Sequence, residues 1–432
     1  MARLLTGQWR VTTGAAERAG TCSRQPQKRR GETTVEWNRR LFLRAAGALA
    51  ASPSLSFAQQ AALPEPPSAV GPIKLFDLEE LEERAAKVLT PGSFAFLAGG
   101  VGAEWTLHEN RKAFGHFVIE PQYLRGAPPP DLSTTLMGMK LSAPLLTAPV
   151  GGQGLFHATA DIGTAKGTAA SGLLMTASGA STATLEQISE AVGAGPKWYQ
   201  LYLPGDRGEA AALLHRVKAA GYSAVVFTID ALGAGNSEEL QRTGFPVGRA
   251  LAAATARVTA GAPGAGIKRG RPKDSFDWDD VEFIQKASGL PVLLKGVLSA
   301  DLARKAVEHG VAGIQVSNHG GRQLDGVPAT IDVLGPIAEA VNRRVPIIVD
   351  SGFRRGGDVF KALALGADAV AMGRPVMYGL ALGGPDGVKS VYEKLTQELS
   401  LTMRAAGAGR ISDIRRAYVG LTQDGSADRP FD

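Results

Sequence analysis

From residue 140 onward, short apolar runs alternate with polar-patterned stretches. The runs are Leu145–Val150, Leu173–Ser178, Trp198–Leu203, Ala224–Asp230, Val292–Val297, Gly313–Asn318, Ile347–Gly352 and Ala369–Arg374. They are rich in Val, Ile and Leu and lack strict alternation, the pattern of parallel strands covered on both faces. Between them, Arg207–Ala220, Ala300–His309 and Asp358–Leu365 read as amphipathic helices, each followed by a glycine (Gly221, Gly310, Gly366) suited to a helix end. Eight strand–helix units over about 270 residues predict an α/β fold, a (β/α)8 TIM barrel, with a doubly wound sheet as the alternative. The barrel is favoured by where polar residues fall. Ser178, Gln200, Tyr202, Thr228, Asp230, Lys295, Asn318, His319, Asp350 and Arg374 all sit at or just past the C-terminal ends of the runs, where barrel active sites are built.

Two segments depart from the repeat. Leu75–Leu89 has a helical pattern, Pro91 can open a second helix, and Trp105–Arg111 leads to Ala113-Phe114; these predict an N-terminal helical cap. Residues 231–274, after the fourth strand, far exceed a normal barrel loop and predict a mobile flap over the mouth. Its Ala250–Gly266 stretch is rich in Ala, Gly and Thr, and Lys268–Lys273 is basic.

Charge changes the picture of the first residues only. The 432-residue chain has a net charge of +6, yet residues 1–58 alone carry ten Lys/Arg and three acids. The rest is close to neutral, so a nucleic-acid partner is not expected. Within that leader, Asn38-Arg39-Arg40-Leu41-Phe42-Leu43-Arg44 precedes Ala45–Ala51 and a Ser56-Phe57-Ala58 cleavage-type site. It resembles a twin-arginine export signal, which predicts a periplasmic protein, or a cytoplasmic one if the leader does not function. Cleavage after Ala58 would remove Cys22, the single cysteine. The expected division is leader 1–58, linker 59–72, barrel 73–423 and tail 424–432. No run reaches the roughly 18 apolar residues of a membrane span.

The chemistry-bearing residues cluster after the later strands. In Ser317-Asn318-His319-Gly320-Gly321-Arg322, a histidine lies at the barrel mouth three residues before an arginine. A His titrates near neutral pH and suits a general base, Asp230 is a candidate to orient it, and Arg322 suits an anion clamp. Asp350-Ser351-Gly352-Phe353-Arg354 and Gly373-Arg374 follow the seventh and eighth runs, the usual phosphate cradle of this fold. Lys295, inside the fifth run, is expensive to bury without a partner. Its residue type allows a Schiff base, or pairing with a cofactor ring that becomes anionic on reduction. No metal is expected.

These residues together resemble the FMN-dependent α-hydroxy-acid oxidases and dehydrogenases, such as glycolate oxidase, lactate oxidase and mandelate dehydrogenase. The likeness covers residues 73–423, and rests most on Ser317–Asp325, Asp350–Ala367, Leu294–Val297, Gln200–Tyr202 and Trp105–Arg111. It implies FMN across the barrel mouth. Ala148, Pro149 and Val150 would line the flavin; Ser178, Gln200 and Thr228 would hydrogen-bond its ring. Lys295 would lie by its N1/O2 edge, and Ser317 would approach it. Asp350, Ser351, Gly352, Phe353 and Arg354, with Gly373 and Arg374, would hold the ribityl chain and phosphate. His319 would be the base, oriented by Asp230; Tyr202 and Arg322 would bind substrate. The implied reaction oxidises a carbon bearing hydroxyl, electrons passing to oxygen or a respiratory acceptor, in a homo-oligomer.

The sequence departs from the family where substrate sits. Phe96 stands where a tyrosine is usual, Ser237 where a second carboxylate-binding arginine is usual, and Ala180 where an aromatic is often found. Either the flap supplies another base, with Arg242, Arg249, Lys268 or Arg269 as candidates, or the substrate is bulkier or less acidic, an alcohol or an amine. A wider pocket is expected at Ala180 and Gly151. A flavin-binding protein without turnover and a flavin-dependent isomerase are the competing readings.

Overall fold

The computed structural model describes residues 63–233, 235–264 and 272–422. The leader, Lys268, Arg269 and the tail lie outside them. Eight parallel strands close into a barrel: β1 (Leu145–Thr147), β2 (Leu174–Ala177), β3 (Lys197–Leu201), β4 (Val225–Thr228), β5 (Val292–Val297), β6 (Gly313–Val316), β7 (Ile347–Val349) and β8 (Ala369–Met372). Every neighbouring pair is parallel, and β8 returns to β1 through Val370 opposite Leu145. The (β/α)8 TIM barrel is thus the fold, and the strands lie within the eight apolar runs, except that β3 begins one residue earlier, at Lys197.

The barrel interior is solid. Leu146, Leu174, Trp198, Val226, Leu293 and Ile348 fill it, each fully buried. An antiparallel ribbon, Thr134–Leu136 with Met139–Leu141, adds Leu136 and Leu141 to that cluster. The three expected helices appear as Arg207–Ala219, Ala300–Glu308 and Gly356–Ala364.

The N-terminal cap consists of helices Glu80–Ala86, Pro91–Ala98 and Trp105–Lys112. The first turn of the last is held by the barrel itself: Asp325, past β6, accepts the Trp105 and Thr106 amides at 3.3 and 2.8 Å. Asn110 and Asn318 then exchange two side-chain amide bonds, at 2.9 and 2.7 Å.

Two expected loops are more ordered than their composition suggested. Residues 63–72, read as linker, lie against the barrel: Ala158 N–H donates to Pro67 O at 2.8 Å, Gly71 N–H to Gly383 O at 3.1 Å, and His157 Nε2 to Ala69 O at 3.0 Å. The flap forms helices Glu238–Arg242 and Val247–Thr259. The second is docked, not loose, with Ala254 buried, Arg257 Nη2 donating to Gly154 O at 2.9 Å and Gln187 Nε2 to Val258 O at 3.1 Å.

Candidate active site

Three adjacent strands deliver the candidate base and its neighbours. Asp230 follows β4, Lys295 lies in β5 and His319 follows β6. The β5 ladder slips between Lys295 and Val297, and Gly296 in that slip has φ +110°. A Cβ there would stand 2.8 Å from Asp230 Cβ, so glycine lets the carboxylate close in beside the lysine. His319 itself takes φ +58°, with its amide donating to Ser317 Oγ at 3.1 Å.

The resulting cluster is tight. His319 Nδ1 lies 3.0 Å from Asp230 Oδ1 and 3.4 Å from Lys295 Nζ. Burial pushes the Asp230 carboxyl up, but the Lys295 ammonium and His319 outweigh it, and the net shift is downward. Burial and the Lys295 ammonium push His319 down, against the opposing pull of Asp230. An ionised Asp230 can only accept, so Nδ1 carries the proton and Nε2 keeps its lone pair. Since Lys295 also only donates, its approach to Nδ1 is a charge contact. Burial, and then Asp230, push the Tyr202 phenol up to about 12, so it stays a donor.

The wall of the site continues beside β6 at Asp350, which follows β7. Its carboxylate accepts from Gln315 Nε2 at 2.6 Å, Ser317 Oγ at 2.9 Å and Ser351 Oγ at 2.6 Å. Gly352, at φ +86°, passes so close to the cap that a Cβ would lie 1.9 Å from Asn110 O. Arg374 donates to Leu97 O, Gly320 O and Gly99 O at 3.1, 2.9 and 2.9 Å. Arg322 shares two of these carbonyls, Leu97 O at 3.3 Å and Gly99 O at 2.9 Å, with its guanidinium 5.3 Å from the Phe96 ring centre. The C-terminal end of the cap helix Pro91–Ala98 thus orients both cations, as the negative end of a helix dipole should.

Beside this wall lies a cavity of about 490 Å³. Ala148, Pro149, Val150, Tyr202, Lys295, His319, Arg322, Asp350–Arg354, Gly373 and Arg374 line it, as does Phe96.

Residues 85–421 match the family model described as FMN-dependent dehydrogenase. The chain belongs to this family. It is 43% identical over 350 residues to an L-lactate oxidase of Streptococcus iniae, covering 81% of this chain and 86% of the relative. It is 37% identical to glycolate oxidase of Spinacia oleracea, covering 83% and 99%. Among solved structures, a lactate oxidase of Pediococcus acidilactici superposes with a TM-score of 0.76 at 41% identity, over 83% of this chain and 98% of that one. A mandelate oxidase with (S)-2-phenylpropionate gives 0.73 at 36% identity, over 81% and 99%.

The protein is therefore an oxidoreductase whose cofactor is FMN. The buried donor set fits that group. Gln200 Nε2 and Thr228 Oγ1 find no protein partner among the described residues, although Gln200 is 1% and Thr228 0% exposed. Leaving such groups unpaired is costly, and a flavin edge would supply the missing bonds. Ser178 Oγ, 3.1 Å from Gln200 Oε1, holds that amide in place.

Ser317 donates to Asp350 and accepts the His319 amide, which braces the site. Gly151 and Ala180 both line the cavity, packed closely enough that a Cβ on Gly151 would be 2.7 Å from Ala180 Cβ. Arg242 is exposed and paired with Glu238 at 2.8 Å, and Arg249 is exposed; neither joins the cavity wall. Ser237 caps the short helix after it, accepting from Leu240 N–H at 3.4 Å. Sequence reasoning missed Leu240, Val247 and Leu251, which line the cavity from the flap. The spacing of Val247, Leu251, Ala254 and Val258 carried that signal, but their Ala- and Thr-rich setting disguised it.

Proposed function

We propose that this protein oxidises the hydroxyl-bearing carbon of a 2-hydroxy acid, or a closely related substrate, to the keto product. The observation that carries this is the His319–Asp230 pair at 3.0 Å, set beside Lys295 on the wall of the cavity that also holds Arg322. His319 Nε2 takes the hydroxyl proton, and the Asp230 carboxylate stabilises the imidazolium that forms. FMN, when bound, would supply the two-electron acceptor for the hydride of the same carbon. Arg322 grips the substrate carboxylate, Tyr202 donates a hydrogen bond from its un-ionised phenol, and Lys295 supplies positive charge at the buried cluster. The O–H proton goes to the histidine, the C–H electron pair leaves as hydride, and the O–H electron pair forms the second bond of the carbonyl. The names of the relatives favour oxygen as the final acceptor, to be tested by hydrogen peroxide formation. The twin-arginine-like leader supports export, to be tested by cell fractionation with Arg39 and Arg40 changed to lysine.

Replacing His319 with alanine tests the reading. The variant is expected to keep its yellow FMN while the anaerobic rate of flavin bleaching by substrate falls by about 10²–10⁴. Bleaching at the wild-type rate would remove His319 from the role of base. A wild-type flavin that no hydroxy acid or related alcohol bleaches would leave the protein as a flavin binder.

A further inference from the structure

The flap helix Val247–Thr259 is seated as a fixed wall. Leu251 Cδ2 lies 2.8 Å from where a Gly152 Cβ would stand, and Phe96 Cε1 lies 3.3 Å from the same point. Gly152 has φ +70° and no side chain, so the two apolar groups meet over it. One turn on, Ala254 presses on Gly154, where a Cβ would be 3.1 Å away, and Arg257 bonds the Gly154 carbonyl at 2.9 Å. Leu251, Ala254 and Arg257 recur at the three-residue spacing of one helix face. The helix is therefore fastened at several points to the loop after β1.

That face closes the part of the cavity that the polar groups leave over. With the hydroxyl at His319 and the carboxylate at Arg322, the substrate's remaining substituent meets Phe96, Phe156, Leu240, Val247 and Leu251. Ser237, which shares this end, already serves as a helix cap. This apolar lining is more than a hydrogen or a methyl group could cover.

We propose that Leu251, backed by Phe96, is the specificity-determining residue, and that the substrate carries an apolar substituent larger than methyl, branched or aromatic. The proposal rests on the 2-hydroxy-acid reading above. Burial of apolar surface predicts about fourfold in kcat/KM per added methylene. From lactate to 2-hydroxy-4-methylpentanoate that amounts to roughly 50-fold.

The test uses the FMN-loaded full chain and two readouts. The first is kcat/KM for glycolate, lactate, 2-hydroxy-4-methylpentanoate and mandelate. The second is the Kd of the corresponding 2-oxo acids, read from the perturbed absorbance of oxidised flavin, which needs no turnover. Rising kcat/KM and tightening Kd along the series support the proposal. Leu251→Ala should then cut the branched-to-lactate ratio by about tenfold, while the volume-conserving Leu251→Met keeps it. A flat series, a preference for glycolate, or equal losses on all substrates in Leu251→Ala would overturn it. If no hydroxy acid bleaches the flavin, the parent reading fails and the 2-oxo acid series alone decides this one.

Discussion

At the scale of single residues, the decisive quantity is where protons sit. Since burial and Lys295 hold His319 below its ordinary range, its imidazole is uncharged at neutral pH, as the proposed base must be. Activity should fall as pH drops through that lowered value, so kcat/KM against pH should have an acid limb with its midpoint below about 6.5. Asp230 opposes the lowering. Asp230→Asn should therefore move the midpoint further down, as well as slowing reduction by about 10²-fold or more. A midpoint that moves up would contradict the charge arrangement. A second expectation concerns the departures from the family pattern: Phe96→Tyr with Ser237→Arg should lower KM for glycolate and lactate, as a phenol and a guanidinium are added to a carboxylate site. Steady-state kinetics on both acids check this. His319, Asp230, Lys295 and Arg322 were readable in the sequence because a barrel gathers the ends of its strands at one mouth. The carbonyls of Leu97 and Gly99 were not readable, because any residue type supplies a carbonyl and only the path of the chain aims it.

At the scale of elements, the strands were plain from sequence because two-sided burial writes itself as runs of Val, Ile and Leu. The docked flap helix and the segment 63–72 were hidden, since each is held by a few contacts and backbone bonds that no composition reports. The cap helix Trp105–Lys112 shows how one element holds another. Asp325→Ala would strip two amide partners from its first turn and should cost about 1–2 kcal/mol, seen as a lower thermal midpoint. The Gly352 approach is less forgiving. With Asn110 O 1.9 Å from an added Cβ and φ at +86°, Gly352→Ala must push the cap away from β7. The expected result is protein with weakened FMN retention, measured by flavin release on dilution.

At the scale of the whole molecule, stability has its own pH dependence. His157, fully buried, accepts the Thr159 amide at Nδ1 and donates from Nε2 to Ala69 O, which fixes it as neutral. Burial lowers its pKa. The unfolded chain therefore takes up a proton first as pH falls. Its contribution is complete above about pH 6.5 and is lost as pH drops below that value, by at most about 1.4 kcal/mol per unit. Thermal midpoints of wild type and His157→Asn between pH 8 and 5 should converge toward the acid end; parallel curves would show that His157 is indifferent to pH.

The packed interior and the ribbon beneath it give the chamber a floor, so traffic does not pass through the barrel and enters from the mouth side. Reactant, keto product and oxidant must then queue at the same entrance. Crowding by excess reactant should slow the second half of the cycle, and any oxidant too large to enter must collect its electrons at the threshold.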